Sequence, residues 1–124
     1  MDSIVQKIIL SGALLCGVIF AGIWLTKSGR PLNALLFNAH KLIALGFTIY
    51  TVYQVVQFGK IINFDPLTLT LLLIAGLCLL ALFISGAFLS FERPVPVFVL
   101  WIHKLTPFIL CALFVLGVYF HLQK

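Results

Sequence analysis

The sequence predicts an all-α membrane protein with four transmembrane helices, and three observations lead to this fold class. Of the 124 residues, 63% are apolar and only 9% are charged, whereas a soluble domain is about half apolar and a quarter charged. The apolar residues form four runs, each long enough to cross a hydrocarbon core about 30 Å thick. The segments between the runs are too short to form a separate soluble domain. Such short connections favour an up-down-up-down bundle.

The four runs follow one another with polar or turn-forming residues between them. The first extends from about residue 8 to 25 and ends in the turn-forming segment 26–31. The second covers about 32–58, and Pro31 suits its first turn because proline is tolerated there. The third covers 67–90 and the fourth about 95–122. We therefore expect residues 1–124 to form a single four-helix transmembrane domain.

The two halves of the chain repeat at a constant offset of 63 residues. The matching segments are Arg30-Pro31 with Arg93-Pro94, and His40-Lys41-Leu42 with His103-Lys104-Leu105. These identities include residue types that are rare in lipid-facing sequence, so they carry more weight than matches between aliphatic residues. They predict two tandem, pseudo-symmetric helical hairpins of the same orientation, covering about residues 8–58 and 67–122.

The repeat places His40 and His103 at one depth on the second and fourth helices. In an up-down-up-down bundle these helices are diagonal neighbours, so two inward-facing imidazoles would meet across the core. Such a pair can hold a planar metal macrocycle between two axial nitrogens. Both histidines are therefore candidate metal ligands.

Cations lie beside both histidines, toward one membrane surface. They are Arg30, Lys41, Arg93 and Lys104. Helical side chains lean toward the helix amino terminus, so both lysines can reach back to that surface. Four cations at one edge of the pocket would suit the two propionates of a haem. The alternative is that they simply reach the lipid headgroups.

Farther along, the helix faces that carry the histidines become more polar. At 100° per residue, the His40 face includes Asn33, Phe47, Thr51 and Gln54, and the His103 face includes Thr106, Leu110, Phe114, Gly117 and His121. Gln54, Gln57 and His121 are candidates for a polar pocket that binds a quinone. His121 would alternatively be an interfacial residue at a helix end. Its counterpart Phe58 cannot ligate a metal, so the chain predicts one haem rather than two.

Small residues and one proline surround the histidines in the sequence. The first and third runs contain glycines at positions 12, 17, 22, 76 and 86, and Gly22 corresponds to Ser85 in the repeat. Such glycines permit close helix contact, and the alternative is that they make space for a porphyrin. Pro107 is expected to kink the fourth helix beside His103, where the second helix has Ala44 instead.

Four spans with one inward histidine on each of the second and fourth resemble the membrane-embedded four-helix b-type cytochromes, in which histidines on paired helices hold haem b. The resemblance implies one haem b per chain and single-electron exchange with a quinone pool or a redox protein partner. It also implies a component of a quinol-linked oxidoreductase in the cytoplasmic membrane of a bacterium or archaeon, alone or as a homo-oligomer. The family usually carries two haems, and this chain lacks the second pair of histidines.

Other classes of function remain as alternatives. The His-Lys pairs and Gln54 would suit a small transporter or proton-coupled carrier, although no Asp or Glu falls within a span. A structural anchor subunit would use the polar residues for helix contacts. A copper or zinc site is weaker, because only two histidines converge and no thiolate shares their face. Nucleic acid is not an expected partner, since the basic residues behind the net charge of +5 are scattered singly.

Overall fold

The computed structural model describes residues 3–29, 33–91 and 93–123, and within these ranges it consists of four α-helices without strands. Helix α1 spans Ser3–Lys27, α2 spans Ala34–Ile61, α3 spans Pro66–Ser90 and α4 spans Val97–Leu122. All four are long and apolar enough to cross a membrane. The 25 residues of α1 correspond to a length of about 38 Å at 1.5 Å per residue. The predicted all-α class with four membrane-spanning helices is therefore confirmed.

Local chemistry explains where three of the helices begin. The side chain of Asn33 caps α2, since its Oδ1 accepts hydrogen bonds from the backbone N–H groups of Leu35 and Leu36 at 3.0 and 3.2 Å. Asn33 was expected on the histidine face and instead serves this cap. Helix α3 has Pro66 in its first turn. Helix α4 begins two residues later than predicted, because Pro96 disfavours helical backbone in the residue before it.

A glycine with left-handed backbone lies two residues beyond the end of α1. Gly29 has a φ of +73°, and its N–H donates to the carbonyl oxygen of Thr26 at 3.4 Å. This conformation is common just beyond helix ends, where a residue without a Cβ adopts it at no steric cost. The chain thus leaves α1 through a turn that its glycine permits.

The helices associate as two consecutive pairs, α1 with α2 and α3 with α4. The chain divides into two compact units, Met1–Asn63 and Phe64–Lys124, each containing one pair. In the first unit Gly22 faces His40 and Gly17 faces Ile43, so the two helices are antiparallel. In the second, a link of about six residues can span only about 20 Å, so α4 must run back along α3. The predicted tandem hairpins are therefore confirmed.

The helix boundaries repeat at the same offset of 63 residues as the sequence motifs. Ser3 and Pro66 begin the first helix of each hairpin, Lys27 and Ser90 end it, and Ala34 and Val97 begin the second helix. The boundary that divides the chain into two compact units also falls between residues 63 and 64. A shared register of this kind means that equivalent residues occupy equivalent places within each hairpin. The association of the hairpins in one four-helix domain stays a prediction.

Candidate functional site

His40 packs against the other helix of its own hairpin. It lies six residues after the start of α2, and its Nδ1 is 3.1 Å from the carbonyl oxygen of Val18 on α1. The ring also lies over Gly22, because a Cβ placed on that glycine would be 3.1 Å from His40 Cε1. Glycine at position 22 therefore lets the ring approach α1 this closely, since a larger residue would force the ring to shift by a few tenths of an ångström.

The hydrogen bond to α1 determines which nitrogen of His40 is protonated. A carbonyl oxygen can only accept, so Nδ1 must carry the hydrogen and donate it to Val18. In a neutral imidazole the electron pair then lies on Nε2. A backbone carbonyl on one ring nitrogen is the usual arrangement for a histidine whose other nitrogen ligates a metal.

His103 occupies the equivalent place in the second hairpin and has a different partner. It lies six residues after the start of α4, and its Nδ1 is 2.9 Å from the hydroxyl oxygen of Ser85 on α3. That hydroxyl also donates to the carbonyl oxygen of Leu82 at 3.2 Å. Since a hydroxyl has a single hydrogen, Ser85 accepts from His103 Nδ1 in this arrangement. Nε2 then carries the electron pair, as in His40.

Each imidazole rests on one glycine, but the two glycines are not equivalent in the repeat. A Cβ placed on Gly86 would be 3.1 Å from His103 Cε1, the same distance as from Gly22 to His40. The position equivalent to Gly22 is Ser85, and the position equivalent to Gly86 is Ile23. The glycine beneath the ring thus lies one position later on α3 than on α1. The position that corresponds to Gly22 carries Ser85, whose hydroxyl binds His103 in the second hairpin.

The histidine faces of α2 and α4 are the faces that pack within each hairpin. Phe47, one heptad after His40, is buried, as are Thr106 and Leu110 on the face of His103. All three were predicted on these faces. Farther along α2, Thr51 Oγ1 and Gln54 Oε1 are buried and have no hydrogen-bond partner. The first hairpin therefore places two unsatisfied polar atoms one helical turn apart, in its half away from His40.

The cations near the histidines are exposed where the structure describes them. Lys41 Nζ lies 4.1 Å from the ring centroid of Phe37, one turn earlier on α2, so this side chain leans back toward the helix start as expected. Lys104 and Arg93 are exposed at the start of the second hairpin's α4 and in the link before it. Arg30 lies outside the described residues. Lys41 is therefore directed toward the surface near which α2 begins.

The remaining candidate residues lie at the opposite ends of their hairpins. Gln57 is half-buried near the end of α2, and His121 is exposed in the last turn of α4. Within the part of the chain that the structure describes, no three His, Cys, Asp or Glu side chains come together as a metal cluster. The histidines on α2 and α4 are thus the candidate ligands, and the glutamines belong to a separate polar region of the first hairpin.

The sequence alone did not reveal which residues position the histidines. These are the Val18 carbonyl, Gly22, Ser85 and Gly86. Glycines 22 and 86 were predicted to permit close helix contact or to make space for a porphyrin, not to lie against the histidines. The pairing of Gly22 with Ser85 at the offset of 63 was the available signal, since a small residue recurs opposite each histidine.

No protein-family model matches the chain, and no curated protein or solved structure is significantly similar to it. Its function is therefore inferred from the chemistry of its own residues.

Proposed function

We propose that the protein is a membrane electron carrier that binds one haem b through Nε2 of His40 and Nε2 of His103. One observation supports this most directly. Both imidazoles have Nδ1 bound to an acceptor on the preceding helix, at equivalent places in two hairpins. This directs the electron pair of each ring to Nε2, the nitrogen that axial ligation requires.

The donor set of the chain fits this cofactor. Two neutral imidazoles, those of His40 and His103, would hold a haem b, which would supply reversible one-electron chemistry there. The repeat offers one such imidazole per hairpin, at the same position of the helix. An intramembrane histidine is costly and is retained by default for a function. Two of them with the same orienting hydrogen bond favour ligation over a role in packing.

The cations of the repeat would stabilise the propionates of the haem. Lys41 leans toward the start of α2, and Arg30, Arg93 and Lys104 lie near the corresponding ends in the sequence. Hydrogen bonds between cations and carboxylates are about twice as strong as neutral ones, so this edge would orient the macrocycle. In the alternative arrangement the same side chains bind lipid headgroups.

A quinone or quinol is the proposed small-molecule redox partner, and a second redox protein is the other. The unsatisfied Gln54 Oε1 supports a ligand that donates a hydrogen bond in the first hairpin, as a quinol hydroxyl does, because a buried acceptor without a partner costs about 1–3 kcal/mol. Gln57 and His121 complete the proposed quinone pocket. In the second hairpin the residues equivalent to Gln54 and Gln57 are Gly117 and Phe120, which offer no side-chain hydrogen bond.

A visible spectrum of the purified protein, before and after dithionite, tests the haem. We expect a reducible Soret band and a sharp low-spin α-band, and we expect His40→Ala and His103→Ala each to abolish the α-band. A colourless protein from cells with ample haem would exclude the proposal. Substrate-dependent proton flux by a colourless protein would instead support the transporter.

The quinone pocket has its own test in the haem-loaded protein. We expect Gln54→Leu and Gln57→Leu to slow reduction by a soluble quinol while leaving reduction by dithionite unchanged. Phe120→Leu, at the position equivalent to Gln57, is the matched control and should leave both rates unchanged. If the quinol reduces all the variants at equal rates, these glutamines do not belong to the quinone pocket.

A further inference from the structure

We propose that the two histidines are unequal: His40 is the permanent ligand, His103 is the exchangeable one, and Ser85 is the positioning residue that makes the difference. The proposal rests on the haem function given above where it concerns ligation. It also says which nitrogen of each imidazole carries the hydrogen, and this part concerns the chain alone, with or without haem. Three observations on α3 and α4 carry it.

The first observation is the chemistry of the acceptor. The Val18 carbonyl can accept a hydrogen bond but cannot donate one, so it holds His40 with hydrogen on Nδ1. The Ser85 hydroxyl can do either. When it donates to Leu82 it accepts from His103 Nδ1, and when it rotates toward the imidazole it donates to Nδ1 instead.

Rotation of the Ser85 hydroxyl changes what His103 can bind. If Nδ1 accepts the hydroxyl hydrogen, the single hydrogen of the neutral ring must lie on Nε2. Nε2 then offers no electron pair to a metal. The distance between Ser85 Oγ and His103 Nδ1, 2.9 Å, suits both arrangements. His103 can therefore alternate between a ligating and a non-ligating form without leaving its partner on α3.

The second observation is the backbone that carries His103. Pro107 has no N–H, so the helical hydrogen bond from residue 107 to the carbonyl of residue 103 cannot form. In the first hairpin the equivalent residue is Ala44, which has an N–H for the His40 carbonyl. Helix α4 therefore lacks a restraint at its histidine that α2 retains.

The third observation lies in the same turn of α4. Thr106 Oγ1 donates to the carbonyl oxygen of Ile102 at 2.6 Å. A bond from a threonine hydroxyl to the carbonyl four residues earlier tends to bend a helix. The residue equivalent to Thr106 is Ile43, which cannot make this bond. The first two differences between the hairpins thus increase the freedom of His103 and not that of His40, and the third favours a bend in the same turn of α4.

Nitrogen-15 NMR of the imidazoles, on the full chain in lipid nanodiscs without haem, tests the protonation. We expect His40 to show hydrogen on Nδ1 only. We expect His103 to show both tautomers, with the minor form at up to about 10%, the upper end of the populations of accessible minor states. A single Nδ1-protonated form of His103 would overturn the proposal. This arm gives an answer even if the protein never binds haem.

Variants at position 85 isolate the hydroxyl. Ser85→Gly restores the residue of the first hairpin and removes the hydroxyl, which leaves the carbonyl of Ala81, the equivalent of Val18, as the expected acceptor. We expect this variant to hold His103 in one tautomer, with hydrogen on Nδ1. The double change Gly22→Ser with Ile23→Gly transfers the Ser-Gly pair of α3 to α1, and we expect it to give His40 two tautomers. No change in either variant would refute the role of Ser85.

Ligand exchange in the haem-loaded protein supplies the second readout, with carbon monoxide as the probe. We expect the reduced protein to bind carbon monoxide in place of His103, and Ser85→Gly to slow that binding by about tenfold, which corresponds to about 1.4 kcal/mol. His103→Ala should retain haem, whereas His40→Ala should lose it. Retention of haem in His40→Ala with loss in His103→Ala would reverse the assignment. A colourless wild-type protein would exclude the proposed haem, and the NMR result would then decide by itself whether Ser85 sets the tautomer of His103.

Discussion

Gly22→Ala is the substitution whose effect can be worked out most fully. Alanine in place of glycine within a helix stabilises a protein by about 0.5–1 kcal/mol when nothing obstructs the new Cβ. At position 22 that Cβ would be 3.1 Å from His40 Cε1, closer than the 3.4–4 Å of ordinary contact, so the ring must retreat by a few tenths of an ångström. The hydrogen bond from His40 to Val18 is already 3.1 Å long. Lengthened by the same few tenths of an ångström, this bond would exceed the usual range of about 2.7–3.2 Å and would be weakened or lost.

Loss of this hydrogen bond leaves a half-buried N–H without its acceptor, at a cost of up to about 1–3 kcal/mol. That cost exceeds the gain in helix propensity, so we expect Gly22→Ala to destabilise the protein. Gly46→Ala is the matched control on α2, because a Cβ there has no atom within 4 Å. It should stabilise the protein by up to about 1 kcal/mol. We therefore expect the two variants to differ by about 1–3 kcal/mol.

Reversible unfolding in mixed detergent micelles, followed by far-ultraviolet circular dichroism, measures the two variants. The second hairpin offers the same comparison, with Gly86→Ala against Gly76→Ala, since only the first of these would meet an imidazole. If all four alanine variants are equally stabilised, the rings do not lie against Gly22 and Gly86. The contacts that orient both histidines would then be wrong.

Three further sets of substitutions test other parts of the molecule. Asn33→Ala removes the cap of α2 and should cost about 1 kcal/mol in the same unfolding assay, whereas Asn33→Ser should be close to neutral. In the haem-loaded protein, Lys41→Gln and Lys104→Gln should each alter the midpoint potential measured by redox titration. Unchanged potentials would mean that these lysines bind lipid headgroups and not propionates. Thr51→Val removes a hydroxyl that has no partner and should not destabilise the haem-free protein. Thr48→Val is the comparison: it removes the hydrogen bond to the Ala44 carbonyl and should destabilise the protein.

The fold class and the hairpin repeat were predictable from the sequence because both depend on local composition. A run of about 25 apolar residues must satisfy its backbone hydrogen bonds internally in lipid, so it forms a helix whatever surrounds it. The Arg-Pro and His-Lys-Leu motifs then set the offset of 63 that the helix boundaries follow. The predicted bounds differ from the helices by up to five residues, most at Ser3, where α1 begins earlier than its apolar run. The later start of α4, at Val97, depends on Pro96 rather than on hydropathy.

The sequence also identified His40 and His103 as the residues of interest, because a histidine is costly in lipid and these two recur in register. Only the tertiary structure decided what orients them. A backbone carbonyl such as that of Val18 is present at every residue, so no sequence pattern marks the one that a histidine will reach. Equivalent positions in the repeat likewise predict equivalent partners. The packing of α3 against α4 instead places Ser85 at His103 Nδ1 and Gly86 beneath its ring, and only the packed helices show which of these two small residues meets the ring.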